Sequence, residues 1–452
     1  PRLCSEFSTH SRLVSFLTDS HKGTVLKTKL LALIAALAVL LSTGLSAHAA
    51  PSEPAYQAIN AQSVWDQGFT GEGTTVAIID QGVNLDHPYF VGQIIDGYCF
   101  VEANSSYLCP NGKREQSGAE AASQRKLRNL FVTNEDHGNM VAGIVAGNPT
   151  NEAPGGIAPG SDILMANVDL TLSGILAGLR YVDQRKEELN IVALSMSWGG
   201  YFTEIPREWL RCDTNPELQQ MAAVLSSLRE GGVIPFASAG NTPTLDIATS
   251  LFPSCLKDAV AVGSVNQAND VSWYVTMSDK VEIVAPDYTI SANTFSYAPS
   301  SGTSAAAPLV AGSYALLRQA FPNHGAEQVL SAIKVSGKPI NDVIRKNIPM
   351  IDLRAAYLLL SNTATGAVIA PQSSVGQVLN VGTFNGKIVV YAKGYKGQTL
   401  SWRIAGKWQE VTVTKDYQAF DRLTSATGLT VTIDLYINGV KPGAFSKTVV
   451  TK

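Results

Sequence analysis

The chain has 452 residues and a formal net charge of −3 at pH 7, and only 16% of its residues are charged. This length allows a large hydrophobic core and a second module. The low charge, and the lack of a lysine- and arginine-rich stripe with interleaved aromatic residues, argue against a nucleic-acid partner.

The N-terminal region has the pattern of an export signal. Lys27 and Lys29 precede the apolar run 30–41, and a small-x-small cleavage sequence ends at Ala49. The alternative is a membrane anchor, but the run is shorter than the roughly 20 residues that cross a bilayer. We therefore predict a signal peptide over residues 25–49 and export to the periplasm or the cell exterior, with no stable membrane anchor.

The residues before this signal are not expected in the mature protein. The first methionine of the chain is Met140, which lies far inside the first predicted domain. Translation is therefore predicted to begin at Val25, through an alternative bacterial start codon. Residues 1–24 are predicted to be an untranslated or disordered upstream segment.

The first predicted strand ends in a carboxylate. Residues 74–79 form an apolar run rich in β-branched residues, which is typical of a buried parallel strand, and Asp80 follows it. Ligands of open α/β sheets bind at the C-terminal ends of the strands, so Asp80 is a candidate functional residue. A turn or helix cap is the alternative role.

The cysteines are consistent with an exported protein. Four of them lie beyond the targeting region, namely Cys99, Cys109, Cys212 and Cys255, and they permit three connectivities. Sequence proximity favours the pairs Cys99–Cys109 and Cys212–Cys255. Metal binding is the alternative, but no Cys-x-x-Cys sequence or histidine cluster supports it.

His137 is the best-placed candidate for a general base. It stands at the head of the small-residue segment 137–147, whose glycines would allow close helix packing. His87 precedes a proline and is expected in a turn, and His324 is expected in a loop. The remaining histidines lie in the upstream segment 1–24 and in the predicted signal peptide.

Apolar strand-like runs alternate with helical runs through the middle of the chain. This alternation predicts an α/β fold with a parallel sheet and helices on both faces. The strand-like runs are 162–168, 191–197, 233–238, 259–265 and 280–285, and the helical runs are 174–182 and 221–229.

Ser304 lies where a nucleophile could be built. The residues around it, 301–308, are mostly small and leave room for a substrate carbonyl, and 308–317 reads as a buried helix. Unpaired N–H groups and the helix dipole near that N-terminus would favour developing negative charge. A helix cap is the alternative role, and the two upstream candidates Asp80 and His137 favour the nucleophile.

The composition changes after the first domain, which is predicted to cover residues 50–362. Residues 363–378 contain many serines, threonines and turn-forming residues and are predicted to be a linker. Residues 379–452 contain short alternating runs and are predicted to form a small antiparallel β-sandwich.

Four motifs in this order resemble those of the subtilisin-like serine peptidases, or subtilases. The motifs are 80–82 (DQG), 137–143 (HGNMVAG), 237–241 (ASAGN) and 302–308 (GTSAAAP). The family carries its triad in the chain order Asp, His, Ser. The resemblance implies a subtilisin-like parallel sheet flanked by helices over residues 50–362.

The same resemblance implies a secreted serine endopeptidase that forms an acyl-enzyme with a peptide or protein substrate. Asp80, His137 and Ser304 would form the triad, and Asn241 would donate to the oxyanion. Catalysis would need no cofactor; structural calcium is frequent in the family, but no ligands can be identified, and we expect a monomer. The walls of the pocket for the residue before the cut would be Ser197, Trp198 and Gly199 on one side and Ser238, Ala239 and Gly240 on the other.

Some positions depart from the family's pattern. Gln81 and Asn139 stand where serine or threonine is usual, and Trp198 stands where leucine is usual. Trp198 could narrow a substrate subsite or serve as a core or rim residue. The segment 167–173 is shorter than in the family, where it supplies an edge strand for the peptide. Positions 81 and 139 and the short segment argue for a rival function, a scaffold that keeps the fold and binds rather than cuts. The complete set of Asp80, His137, Ser304 and Asn241 argues for the enzyme.

Overall fold

The computed structural model of the protein describes residues 53–127, 136–199, 212, 215–243, 251–278, 280–341 and 347–369, and in the C-terminal region residues 378–384, 387–393, 395–404, 407–414, 417–423, 430–439 and 446–450. The upstream segment 1–24, the predicted signal peptide 25–49 and residues 370–377 of the predicted linker lie outside the described residues. Within the described ranges, no helix is both long enough and apolar enough to cross a bilayer.

Strands and helices alternate through most of the α/β region, as the sequence pattern predicts. The strands are β1 (Thr75–Asp80), β2 (Ile94–Phe100), β3 (Tyr107–Leu108), β4 (Glu115–Ser117), β5 (Lys126–Leu127), β6 (Asp162–Val168), β7 (Ile191–Met196), β8 (Ile234–Ser238), β9 (Val260–Val265), β10 (Val281–Pro286), β11 (Ile290–Ala292), β12 (Tyr297–Pro299), β13 (Lys338–Ile340) and β14 (Ile348–Met350). The helices are α1 (Pro54–Ala58), α2 (Gln62–Trp65), α3 (Asp136–Ala146), α4 (Leu172–Arg185), α5 (Gln219–Glu230), α6 (Thr303–Ala320), α7 (Ala326–Ser336) and α8 (Leu353–Ser361).

Ten of these strands form one large sheet in the order β13-β14-β10-β9-β8-β7-β1-β6-β2-β4. The strands from β14 to β2 run parallel, whereas β13 and β4 pair antiparallel at the two edges. The prediction of a parallel sheet flanked by helices is confirmed. Because β1 lies between β7 and β6, Asp80 ends a central strand of the sheet.

The side chains of β1 show why its sequence is apolar throughout. Val76 and Ile78 belong to the core cluster that contains residues of α3 and α6, whereas Ala77 and Ile79 belong to the cluster with α4 and α5. Successive residues of a strand point to opposite faces. A strand covered by helices on both faces therefore has no polar face.

Helix α6 is buried along most of its length and packs closely against α3. A Cβ atom at Gly312 of α6 would lie 3.1 Å from the carbonyl oxygen of Val145 in α3 and 2.4 Å from Ile157 Cγ2. A larger residue at position 312 would push these elements apart. This contact sets the position of α6 relative to α3, whose first turn carries His137.

Two disulfide bonds join the four cysteines that follow the targeting region. Cys99 is bonded to Cys109 with a Cα–Cα distance of 5.7 Å, and Cys212 is bonded to Cys255 with a Cα–Cα distance of 5.6 Å. These are the pairs that sequence proximity favours. Both Cα–Cα distances are usual for disulfides.

The C-terminal region forms two antiparallel sheets, in the orders β15-β16-β19 and β18-β17-β20-β21 when its strands are numbered on from β14. Ile388 and Val390 of one sheet share a small core with Leu400 and Trp402 of the other, as in a β-sandwich. The predicted antiparallel architecture of the C-terminal region is confirmed, and its first strand begins at residue 378, where the predicted linker ends. The strands are β15 (Val378–Phe384), β16 (Lys387–Lys393), β17 (Thr399–Ile404), β18 (Lys407–Thr412), β19 (Tyr417–Leu423), β20 (Thr430–Ile437) and β21 (Ser446–Val450).

Candidate active site

Asp80 and His137 are paired at the C-terminal end of β1. Asp80 is fully buried, and His137 Nδ1 lies 2.8 Å from its Oδ1 and 3.0 Å from its Oδ2. The backbone N–H of Gln81 donates to the same Oδ1 at 2.7 Å. Because the carboxylate accepts the proton of Nδ1, the neutral imidazole keeps Nε2 as a proton acceptor.

The charge of Asp80 also determines how His137 titrates. Its attraction raises the pKa of His137 above the ordinary histidine value, while burial of the ring acts in the opposite direction. A carboxylate next to an imidazole stabilises the imidazolium that forms when Nε2 accepts a proton. The pair is therefore suited to take up a proton during a reaction.

Gly138 lets the first turn of α3 lie directly on the backbone that follows β1. A Cβ atom at this position would lie 2.1 Å from the carbonyl oxygen of Gln81 and 2.6 Å from that of Gly82. Only glycine permits this approach, because such distances are far inside van der Waals contact. The close approach brings His137 within hydrogen-bonding distance of Asp80.

Further hydrogen bonds hold the loop after β1 to α3. The buried Asn139 accepts from the Asn84 N–H at 2.8 Å through Oδ1. Thr294 donates to Asp136 Oδ1 through its N–H at 2.7 Å and its hydroxyl at 2.6 Å, and its carbonyl accepts from Asn84 Nδ2 at 2.7 Å. Asn139, one of the departures from the family's pattern, thus anchors the loop that follows Asp80.

Ser304 is half-buried in the first turn of α6. The helix begins after Gly302, which has a φ of +88° and, as a glycine in the cap position, has no side chain of its own to cap the helix. Ser304 is therefore not the helix cap that was its alternative role. Its hydroxyl donates to the Ser197 carbonyl at 2.7 Å, and since a hydroxyl has one proton, that proton is not directed at His137 in this rotamer.

Asn241 follows β8 and is oriented by Thr303. Its Oδ1 accepts from the backbone N–H and the hydroxyl of Thr303 at 2.9 Å each, and the Thr303 Oγ accepts from the Gly240 N–H at 3.1 Å. The oxygen end of the amide is thus fixed, which leaves Nδ2 as a donor. A Cβ atom at Gly302 would lie 2.8 Å from Nδ2, so the amide lies against the backbone that leads into Ser304.

The predicted pocket walls follow the neighbouring parallel strands β7 and β8. One wall consists of Ser197, Trp198 and Gly199, and the other of Ser238, Ala239 and Gly240. The Ser238 hydroxyl donates to the Trp198 carbonyl at 3.3 Å and so joins the two walls. The bond from the Ser304 hydroxyl to the Ser197 carbonyl places the first wall beside the candidate nucleophile.

The side chain of Trp198 is largely buried. It is only 8% exposed, and its Nε1 donates to the Ile79 carbonyl at 2.7 Å. Its ring packs against Phe252 with a centroid distance of 5.7 Å. Of the roles open for Trp198, these contacts favour that of a core residue, because the indole is held against β1.

The segment after β6 is a tight connection to α4. Thr171 caps α4 by accepting from the Gly174 N–H at 3.1 Å, and Asp169 Oδ2 accepts from the Glu102 N–H at 2.7 Å. Every residue from the end of β6 to the start of α4 is described, and no additional strand lies between them. The short length of this segment in the sequence corresponds to the direct connection.

Some side chains that orient or surround these groups are not among the residues predicted from the sequence. Thr303 adjoins Ser304, so its place in the motif was a usable signal. Asn84 and Thr294 are far apart in the chain, and only the fold brings them together. Leu251, which contacts both pocket walls, carries no local signal at all.

Comparison with known proteins identifies the family. A profile described as Subtilase family matches residues 71–357, more than half of the chain. The major intracellular serine protease of Bacillus subtilis (strain 168) is 28% identical over 302 residues, which are 65% of this chain and 81% of that protein. Thermitase of Thermoactinomyces vulgaris is 29% identical over 296 residues (63% and 88%), and subtilisin of Bacillus pumilus is 24% identical over 306 residues (66% and 96%).

A solved structure described as proteases from Pseudoalteromonas arctica PAMC 21717 has the same fold, with a TM-score of 0.54, 21% identity, and coverage of 67% of this chain and 94% of that one. The chain therefore belongs to the subtilase family. It is a subtilisin-like serine protease, and its substrates are peptides or proteins.

Subtilases need no cofactor for catalysis. Calcium binding is common in the family, but in the described part of this chain no group of three or more His, Cys, Asp or Glu side chains could hold a metal ion.

Proposed function

We propose that this protein is an exported endopeptidase that hydrolyses peptide bonds through Asp80, His137 and Ser304, with an acyl-enzyme intermediate. The observation that carries the proposal is the pairing of His137 Nδ1 with the buried Asp80 carboxylate at 2.8 and 3.0 Å. This pairing selects the tautomer in which Nε2 accepts a proton. Ser304 lies at the same end of the sheet, next to the residue that follows β7.

The reaction begins when the Ser304 hydroxyl turns from the Ser197 carbonyl towards His137 Nε2. Its oxygen attacks the substrate's carbonyl carbon, His137 takes the hydroxyl proton, and the carbonyl oxygen becomes an oxyanion. The C–N bond then breaks, and His137 gives the proton to the leaving amine. Water attacks the acyl-enzyme with His137 again as the base, and this releases the acid and restores Ser304.

The oxyanion would be stabilised by two donors at the start of α6. Asn241 Nδ2 is one donor, because Thr303 holds the oxygen end of that amide. The backbone N–H of Ser304 is the other, since the first N–H groups of a helix have no partner within the helix. Donors that are already oriented stabilise the charge without reorganisation during the reaction.

Labelling of the purified full chain with a fluorophosphonate tests this proposal. We expect the parent and a Ser301→Ala variant to be labelled, and a Ser304→Ala variant to remain unlabelled. Ser301 is a suitable control because it is an exposed serine in the same segment. A folded parent protein that takes up no label would contradict the proposal and favour the scaffold that binds without cutting.

Export is proposed on the basis of residues 25–49, and one relative is named an intracellular protease, so the compartment needs its own test. In cells that express the full chain, mass spectrometry of the exported fraction should find a mature N-terminus at Ala50. A Leu33→Arg variant, which places a charge in the apolar run, should remain inside the cell. A protein that stays in the cytosol with residues 25–49 still attached would contradict export.

The oligomeric state is a separate prediction. Light scattering of the purified protein should show a monomer.

A further inference from the structure

The geometry of the site determines where the side chain of the residue before the cut must lie. The scissile carbonyl has to fit between Ser304 Oγ and Asn241 Nδ2. Ser304 Oγ contacts the Ser197 carbonyl at 2.7 Å, and Asn241 directly follows Gly240. The residue that carries this carbonyl therefore lies over the ends of β7 and β8, and its side chain is directed between the two pocket walls.

The side chain of Leu251 already lies against both of these walls. A Cβ atom at Gly240 would lie 2.1 Å from Leu251 Cδ1 and 3.0 Å from its Cγ. A Cβ atom at Gly199 would lie 3.7 Å from Leu251 Cβ and 3.9 Å from its Cδ1. A side chain added to the glycine of either wall would thus meet the same isobutyl group, and Leu251 is only 3% exposed.

Leu251 is held in place by its own turn. Its carbonyl accepts from the Ser254 hydroxyl at 2.7 Å and from the Cys255 N–H at 3.0 Å, and Cys255 is disulfide-bonded to Cys212. The next residue, Phe252, packs against the ring of Trp198. These interactions fix the backbone of Leu251, so a large substrate side chain could displace the isobutyl group only by rotating it within its buried position.

We propose that Leu251 limits the residue before the cut to small side chains, such as glycine, alanine and serine. The proposal rests on the proposed function, because it takes Ser304 and Asn241 as the groups that receive the scissile carbonyl. A phenylalanine or leucine in the substrate would overlap with a close-packed, fixed isobutyl group. A small side chain fits over Leu251 without moving it.

Hydrolysis of internally quenched peptides that differ only in the residue before the cut tests this specificity. For the parent enzyme, kcat/KM for alanine should exceed that for phenylalanine by about tenfold or more. In a Leu251→Ala variant, the ratio should shift towards phenylalanine by about tenfold or more, because three side-chain carbons are removed from between the walls. Mass spectrometry of the products confirms which bond is cut.

Leu256→Ala is the matched control for this experiment. Leu256 follows Leu251 closely in the chain, belongs to the core cluster that contains Phe252 and Cys255, and is 1% exposed. It loses the same three carbon atoms, and we expect a lower melting temperature with an unchanged preference between alanine and phenylalanine. A Leu251→Val variant makes a smaller change of the same kind and provides the measurement should Leu251→Ala not fold.

Each contrary outcome identifies which proposal fails. Equal hydrolysis of the alanine and phenylalanine peptides by the parent, or an unchanged ratio in the Leu251 variants, would overturn the specificity. Fluorophosphonate labelling of Ser304 without hydrolysis of any small-residue peptide would also overturn it, while the nucleophile would stand. A folded parent with neither labelling nor hydrolysis would overturn the proposed function itself.

Discussion

The two sides of the candidate site differ in how far they are assembled in the free protein. On the acid–base side, the hydrogen bonds between His137 and Asp80 are already formed at 2.8 and 3.0 Å. On the acyl side, Asn241 is oriented by Thr303, but the Ser304 hydroxyl donates to the Ser197 carbonyl instead of to His137. The hydrogen bonds of the proposed base are therefore complete, whereas the proposed nucleophile must still change its rotamer.

This difference follows from what holds each side together. The acid–base side is fixed by backbone contact, because Gly138 lies directly on the carbonyl groups of Gln81 and Gly82. The acyl side depends on a hydroxyl, which rotates at low cost, and on a side-chain amide. We infer that close packing fixes the position of the imidazole in the free protein, and that Ser304 reaches its final alignment only when the substrate binds.

The largest effect on catalysis is expected from Asp80→Asn, which disrupts the pairing of residue 80 with His137. The amide can no longer hold the imidazole in the required tautomer, so kcat should fall about 10⁴-fold while the fold is kept. Steady-state kinetics with circular dichroism measures both. Asp86→Asn, at an exposed aspartate in the same loop, is the control and should be near-neutral. A loss of less than about tenfold would show that Asp80 does not act through His137.

A smaller effect is expected on the acyl side from Asn241→Ala. Removal of one oxyanion donor should lower kcat about 10²–10³-fold and leave KM nearly unchanged, because the donor acts on charge that develops in the transition state. Asn148→Ala is the control, since its Nδ2 donates to the Val91 carbonyl on the surface. A rise in KM with kcat intact would make Asn241 a substrate-binding residue instead.

The backbone contact on the acid–base side can be tested with two glycines. Gly138→Ala would place a methyl group against the Gln81 and Gly82 carbonyls, and should lower the free energy of unfolding by about 1–3 kcal/mol. At Gly178 of α4, an added Cβ would lie no closer than 3.4 Å to its neighbours. Gly178→Ala should therefore stabilise the protein by about 0.5–1 kcal/mol. Urea unfolding that shows equal effects for the two variants would refute the close contact.

The smallest effect is a shift in the titration of His137. Asp80 raises its pKa, and the imidazole must be neutral to accept a proton. Activity should therefore be lost as the pH falls through a pKa above the ordinary histidine value. NMR titration of the imidazole in Ser304→Ala should show this raised pKa, and Asp80→Asn should lower it. A His137 that titrates at or below the ordinary value in the parent would count against the pairing.

The sequence alone predicts those parts of the site that are encoded by a local pattern of residues. The buried run that becomes β1 ends at a carboxylate, and the known binding edge of parallel sheets placed Asp80 at the site. The sequence does not predict where a side chain points when its contacts are with residues far away in the chain. The indole of Trp198 turns towards Ile79 because β1 happens to be the neighbour of β7, and Leu251 contacts Gly199 and Gly240 only in the fold. Such contacts depend on which elements become neighbours, and local patterns do not contain that information.

The contact of Gly312 with Val145 and Ile157 has a consequence for adaptation to temperature. Helix α6 carries Ser304 at its first turn and α3 carries His137 at its first turn, and the two helices meet at Gly312. Because the packing there is close, a larger residue at position 312 is expected to shift α6 against α3 and so change the distance between Ser304 and His137, without any substitution in the site. Natural selection can therefore tune turnover against rigidity from the middle of the core, where the reacting groups themselves remain unchanged.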